Sequence, residues 1–206
     1  MPITKELLSY VKEQTNVTAF FETGLLGGET FGHALSLGFN KVCSIEIKQE
    51  FVNRALESYA YYVNADIAHP IADDSSNLGS YVELIGDHKC LFWLDAHLDS
   101  GLETAIKAPL KSCPLREEIE GIKKASRKDH VIMVDDLRIL TDQAWHPWQN
   151  DELNLTSEKF TLETIKDMIL EINPSYEFQT IDGYLLPFQG REDQVLKDDI
   201  LVAFIR

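Results

Sequence analysis

The chain has 206 residues, 44% of them hydrophobic, with 11 Gly and 7 Pro, so it can bury one sizeable core and is too short for two ordinary domains. Its 19 Lys and Arg stand against 34 Asp and Glu, a formal charge of −15 that repels a phosphate backbone and argues against nucleic acid as a partner. Cys43, Cys90 and Cys113 show no CxxC spacing, which argues against a disulfide framework or zinc site, and no apolar run approaches the roughly 20 residues of a membrane span.

In chain order, "MPITKELLSYVKEQ" is a short amphipathic stretch rather than a charged leader with an apolar core, which predicts a cytoplasmic protein. Seven short β-favouring runs follow, at 17–22, 41–47, 59–64, 89–95, 130–136, 176–182 and 199–205. Several are almost continuously apolar, as strands covered on both faces are. Helical segments lie between them. One ends at Gly38, one follows the second strand at 48–58, and one at 113–126 aligns Leu115, Ile119 and Ile122. Another at 156–174 aligns Leu162, Ile165, Ile169 and Ile172 ahead of Pro174. The alternation predicts a single α/β domain over 1–206: a doubly wound, mostly parallel seven-stranded sheet with helices on both faces. The last two runs lack room for a helix between them, so the final strand is expected to be antiparallel at or near an edge. The segments 97–112 and 142–155 leave from strand ends and are candidate lids over a substrate pocket.

"FFETGLLGGET" at 20–30 puts glycines at a strand end. The spacing of Gly24, Gly27 and Gly28 fails the dinucleotide pattern G-x-G-x-x-G. A P-loop fails too, because Thr23 stands for its first glycine and Glu29 for its lysine. What fits is Glu22-x-Gly24-x-x-x-Gly28 at a strand end, with Glu46 near the end of the second strand. This arrangement resembles the first motifs of class I S-adenosylmethionine-dependent methyltransferases, which have a Rossmann-like fold. The resemblance implies that Glu22, Thr23, Gly24 and Gly28 line the cofactor loop, that Glu46 accepts the ribose hydroxyls, and that Asp66, with Ile67 beside it, contacts the adenine. Read blandly, the same glycines make a tight turn and Glu46 is a solvated strand-end acid.

"FWLDAH" and "VIMVDDLR" bring Asp95, Asp135 and Asp136 to the carboxyl edge, where converging carboxylates repel unless a cation neutralises them. The pattern is similar to that of metal-dependent O-methyltransferases of the catechol and macrolide-sugar (macrocin) type. It implies Mg²⁺ held by Asp95, Asp135 and Asp136, with Asp95 also at the cofactor. His97 is a candidate general base for a hydroxyl, with Asp99 next; it reads equally as a strand-end histidine that only orients Asp95 or caps a loop. Asp135 and Asp136 could instead cap a turn, and Arg138 is expected to pair with an acid. Trp145, His146 and Trp148 suit either a sugar ring or core packing, and the acidic run "REDQVLKDD" reads as a solvated hairpin.

The sequence therefore predicts methylation of a small-molecule or sugar hydroxyl with Mg²⁺ assistance, with no nucleic acid or membrane partner and with a homo-oligomer left open. The alternatives are a non-catalytic cofactor-binding protein on the same fold, or a metal-dependent sugar-nucleotide transferase or hydroxylase.

Overall fold

The computed structural model describes residues 3–97, 113–141, 160–185 and 194–206. A first helix, α1 (Lys5–Thr15), is capped by the Thr4 hydroxyl, which accepts the Leu7 amide, and it buries Leu8 and Val11. Then come β1 (Ala19–Thr23), α2 (Glu29–Ser36), β2 (Lys41–Glu46), α3 (Gln49–Ser58), a short α4 (Ala60–Asn64) and β3 (Ala68–Ala72). Two 3₁₀ turns, Ser75–Ser80 and Val82–Ile85, lead to β4 (Cys90–Leu94). The chain continues with α5 (Leu115–Ile122), β5 (Val131–Val134), α6 (Leu137–Leu140), α7 (Leu162–Leu170), β6 (Glu177–Leu185) and β7 (Gln194–Phe204).

The seven strands form one sheet in the order β3-β2-β1-β4-β5-β7-β6. Pairings from β3 to β5 are parallel, whereas β7 runs antiparallel to both neighbours, β5 and β6. The predicted fold is therefore the observed one, and the final strand is antiparallel and near an edge, as expected: it lies between β5 and β6, and β6 holds the edge itself. One correction is needed: the third strand is not 59–64 but 68–72. Residues 60–64 extend α3 as helix: the Tyr59 amide donates to the Ala55 carbonyl, and none of the five side chains is buried. The true β3, "AHPIA", carries Pro70, which a strand tolerates at an edge where its missing N–H breaks no ladder.

β1, β4 and β5 are buried at every position, and β2 at every position after Lys41. Alternate side chains feed two apolar layers. One, with Phe21, Phe92, Ile132 and Leu201, meets α5, α7 and the 3₁₀ turns; the other, with Phe20, Leu91, Met133 and Val202, meets α1, α2 and α3. Strand order reverses between β1 and β4, which opens a crevice at their carboxyl ends, where ligands bind in sheets of this kind.

Candidate active site

β1 delivers Glu22 and Thr23 to that crevice, and the glycine loop begins there. Gly24 has φ 88°, and its N–H donates to the Ile45 carbonyl at 2.9 Å. A Cβ at position 24 would lie 3.0 Å from the Asp95 carbonyl oxygen. Glycine is thus required for the exits of β1 and β4 to pass side by side. Gly28, at φ 76°, caps α2, and its carbonyl accepts the Tyr59 hydroxyl at 3.1 Å. Glu46 closes the loop from the second strand: Oε2 accepts the Leu26 amide and Oε1 the Lys48 amide, both at 2.9 Å. It is buried rather than a solvated strand-end acid, and each oxygen keeps a lone pair for a further donor. Glu22 is 1% exposed, and burial drives its carboxyl well above the ordinary range.

Across the crevice, the Asp95 amide donates to the Thr23 hydroxyl at 3.2 Å, tying the two strand ends together. His97 Nε2 is hydrogen-bonded to Asp136 Oδ2 and lies 3.6 Å from Asp95 Oδ1. Asp136 is a left-handed residue (φ 59°) at the start of α6, and its Oδ1 lies 2.6 Å from Arg138 Nη1. The same Nη1 pairs with Asp199 Oδ2, while Asp199 Oδ1 accepts the Arg138 amide at 2.9 Å. Arg138 therefore pairs with acids, as expected.

These contacts sort the charges. Burial, reinforced by the charge of Asp95, pushes Asp135 up to about 7, and burial also raises Asp95. For Asp136 burial acts in the same direction, but the hydrogen bond and charge of His97 outweigh it and hold the carboxyl below its ordinary value. Burial opposes a charge on His97, yet Asp136 and Asp95 raise its pKa.

The three predicted metal-binding acids do reach one edge, but as two overlapping sets that share Asp136. The donor atoms of Asp95, His97 and Asp136 lie within 4.8 Å of one another, and so do those of Asp135, Asp136 and Asp199. The carboxylate oxygens suit a hard divalent ion, which would offset the burial and the neighbouring acids that raise Asp135 and Asp95. The donor set fits a divalent cation.

Asp66 is misplaced by the sequence reading. It precedes β3, at the amino edge of the sheet, where its carboxylate is 78% exposed and pairs with Lys41 Nζ at 2.6 Å. Ile67 shares that edge. The carboxyl end of β3 carries Asp73 instead, whose oxygens accept the Tyr81 hydroxyl at 2.6 Å and the Asn77 amide at 3.0 Å. Two further residues escaped notice. Asp199, assigned to a solvated hairpin, is 1% exposed, and Glu118 on α5 is buried with the Thr23 and Ser75 hydroxyls as neighbours. Glu118 was detectable as an acid on a helix face otherwise set by Leu115, Ile119 and Ile122. Asp99, Trp145, His146, Trp148 and, apart from His97, the candidate lids 97–112 and 142–155 lie outside the described residues.

No protein-family model matches the chain, and no curated protein matches it by sequence. Solved structures do match. An O-methyltransferase from Bacillus cereus in complex with SAH aligns over 98% of this chain and 80% of its own, with TM-score 0.59 and 11% identity. The O-methyltransferase TomG from Streptomyces achromogenes, in complex with SAM, aligns over 98% and 78%, with TM-score 0.59 and 13% identity. A precorrin-6y C5,15-methyltransferase from Geobacter metallireducens aligns over 98% and 90%, with TM-score 0.53 and 12% identity. The chain has the Rossmann-like fold of S-adenosylmethionine-dependent methyltransferases, a fold that in these neighbours serves more than one kind of acceptor.

Proposed function

We propose that this protein is an S-adenosylmethionine-dependent methyltransferase that methylates a hydroxyl of a small molecule or sugar with a divalent ion, Mg²⁺, at its acidic edge. The observation that carries the reading is Glu46, a buried carboxylate that clasps the glycine loop through Leu26 and Lys48 and still offers a lone pair on each oxygen. Such a group recognises paired hydroxyls, as on a ribose, and the loop beside it has no lysine for phosphates. The SAH- and SAM-bound neighbours support the same cofactor.

Hydroxyl oxygen is favoured as the acceptor by the acidic edge. A divalent ion there would lower the pKa of a hydroxyl and hold it in line with the methyl group. Asp95, Asp135 and Asp136 would hold that ion. His97, fixed by Asp136 and placed beside Asp95, is the group positioned to take the acceptor's proton. Thr23, by binding the Asp95 amide, keeps this acid edge in register with the cofactor loop.

Calorimetric titration with S-adenosylmethionine tests the reading. Saturable binding is expected, weakened about tenfold or more by Glu46→Ala, since the loop and the ribose both lose a charged acceptor. Asp135→Asn is expected to keep cofactor affinity and to lose Mg²⁺ binding. No heat at roughly millimolar cofactor sinks the proposal.

A further inference from the structure

The pair Arg138–Asp199 raises a problem for the acid edge. A guanidinium lies 2.6 Å from Asp136 Oδ1, and left to itself it would neutralise the one carboxylate common to both donor sets. Asp199 prevents this. Its Oδ1 accepts the Arg138 main-chain amide at 2.9 Å, and its Oδ2 takes the same Nη1 that reaches Asp136. One nitrogen is thus divided between two carboxylates, and the second carboxylate also anchors the backbone carrying that nitrogen. The contacts run along a single line from β7 to the end of β4: Asp199, Arg138, Asp136, His97, Asp95. Asp199 is the one member of the two donor sets that places both oxygens on Arg138, which makes it a buttress for that guanidinium whether or not a lone pair also reaches the cation. It comes into place through the sheet: Val134 pairs with Leu201 in the antiparallel ladder, so Asp136, two residues beyond the one, and Asp199, two residues before the other, lie at the same end of the paired strands.

Resting on the proposed cation site, we infer that Asp199 is a positioning residue: it draws Arg138 partly off Asp136, so that Asp136 keeps the charge and orientation to bind a divalent cation while its Oδ2 holds His97. The inserted β7 is then part of the site, reaching the cation one residue removed.

Mn²⁺ is the probe, followed by its electron paramagnetic resonance signal in the whole protein, with S-adenosylmethionine affinity measured in parallel. Asp199→Asn keeps the shape and an acceptor for the Arg138 amide, but lets the guanidinium settle on Asp136. Mn²⁺ affinity is expected to fall about ten- to hundredfold, as when a group supporting a metal ligand is removed, with cofactor affinity unchanged. Arg138→Met alone is expected to bind Mn²⁺ at least as tightly as the parent. The double variant Asp199→Asn, Arg138→Met is expected to recover most of the loss, because the cation that Asp199 restrains is gone. A purely structural role predicts the reverse, with the two losses adding. Parent-like Mn²⁺ binding by Asp199→Asn, or a double variant weaker than it, overturns the inference while leaving the cation site standing. Weaker binding by Arg138→Met overturns it too, and needs no change at the buried Asp199. A parent protein that binds no Mn²⁺ removes the proposed site and this inference with it.

Discussion

Glu118 illustrates what burial does to a single residue. Its side chain is 1% exposed on α5, and desolvation pushes the carboxyl from an ordinary 4.5 up to about 8, against the Ser75 and Thr23 hydroxyls that lower it. At neutral pH the group is mostly protonated in the folded chain and ionised in the unfolded one. Its contribution is fully present below about 4.5 and is lost as pH rises toward 8, a change on the order of a few kcal/mol. Glu118→Gln, uncharged at every pH, is expected to flatten the decline of melting temperature between about pH 5 and 8 relative to the parent. Parallel profiles for the two proteins would mean that Glu118 is ionised when folded. Glu46 and Asp199 carry a related lesson. Both were visible as acids near strand ends, yet Glu46 was open to a solvated reading and Asp199 was placed in a solvated hairpin, because a one-dimensional pattern does not show which acids meet an amide or a guanidinium.

Elements were legible where their own periodicity decides them. The helix at Leu162–Leu170 begins at a Thr161 cap and buries Ile165 and Ile169, as the spacing predicts. β3 was not legible, because "AHPIA" has a proline and two alanines and becomes a strand only through pairing with β2. Aromatic "YAYY" has the higher β-propensity, but it continues α3, and tertiary context overrode propensity. That single mistake moved the acid expected at the carboxyl end of β3 to Asp66, whereas Asp73 stands there. A second element-level feature is the close approach of α5 to the first 3₁₀ turn. A Cβ on Gly121 would lie 2.6 Å from the Gly79 amide nitrogen. Gly121→Ala is therefore expected to destabilise the fold by about 1–3 kcal/mol through overpacking, despite alanine's better helix propensity. Denaturant unfolding measures it, and a stabilised variant would show that the two elements can separate without cost.

For the whole molecule, the formal charge of −15 works against compaction, with acids gathered at the carboxyl edge in particular. Raising NaCl from about 10 to about 150 mM shortens the screening length from roughly 30 to 8 Å, so the melting temperature is expected to rise. A fall would mean that attractive pairs such as Arg138 with Asp199 dominate the electrostatics. The sequence by itself determined the alternating α/β plan, the glycine turn with Glu46 downstream, and the two strand ends bearing Asp95 and Asp135–Asp136. Each of these is set by local periodicity or by chemistry within a few residues. Only the tertiary structure decided that β7 enters between β5 and β6, that Asp73 rather than Asp66 stands at the carboxyl end of β3, and that Asp199 shares Arg138 with Asp136. Those facts depend on strand order and register, which are fixed by burying two apolar layers at once, and residues 61 positions apart become neighbours only when that is done.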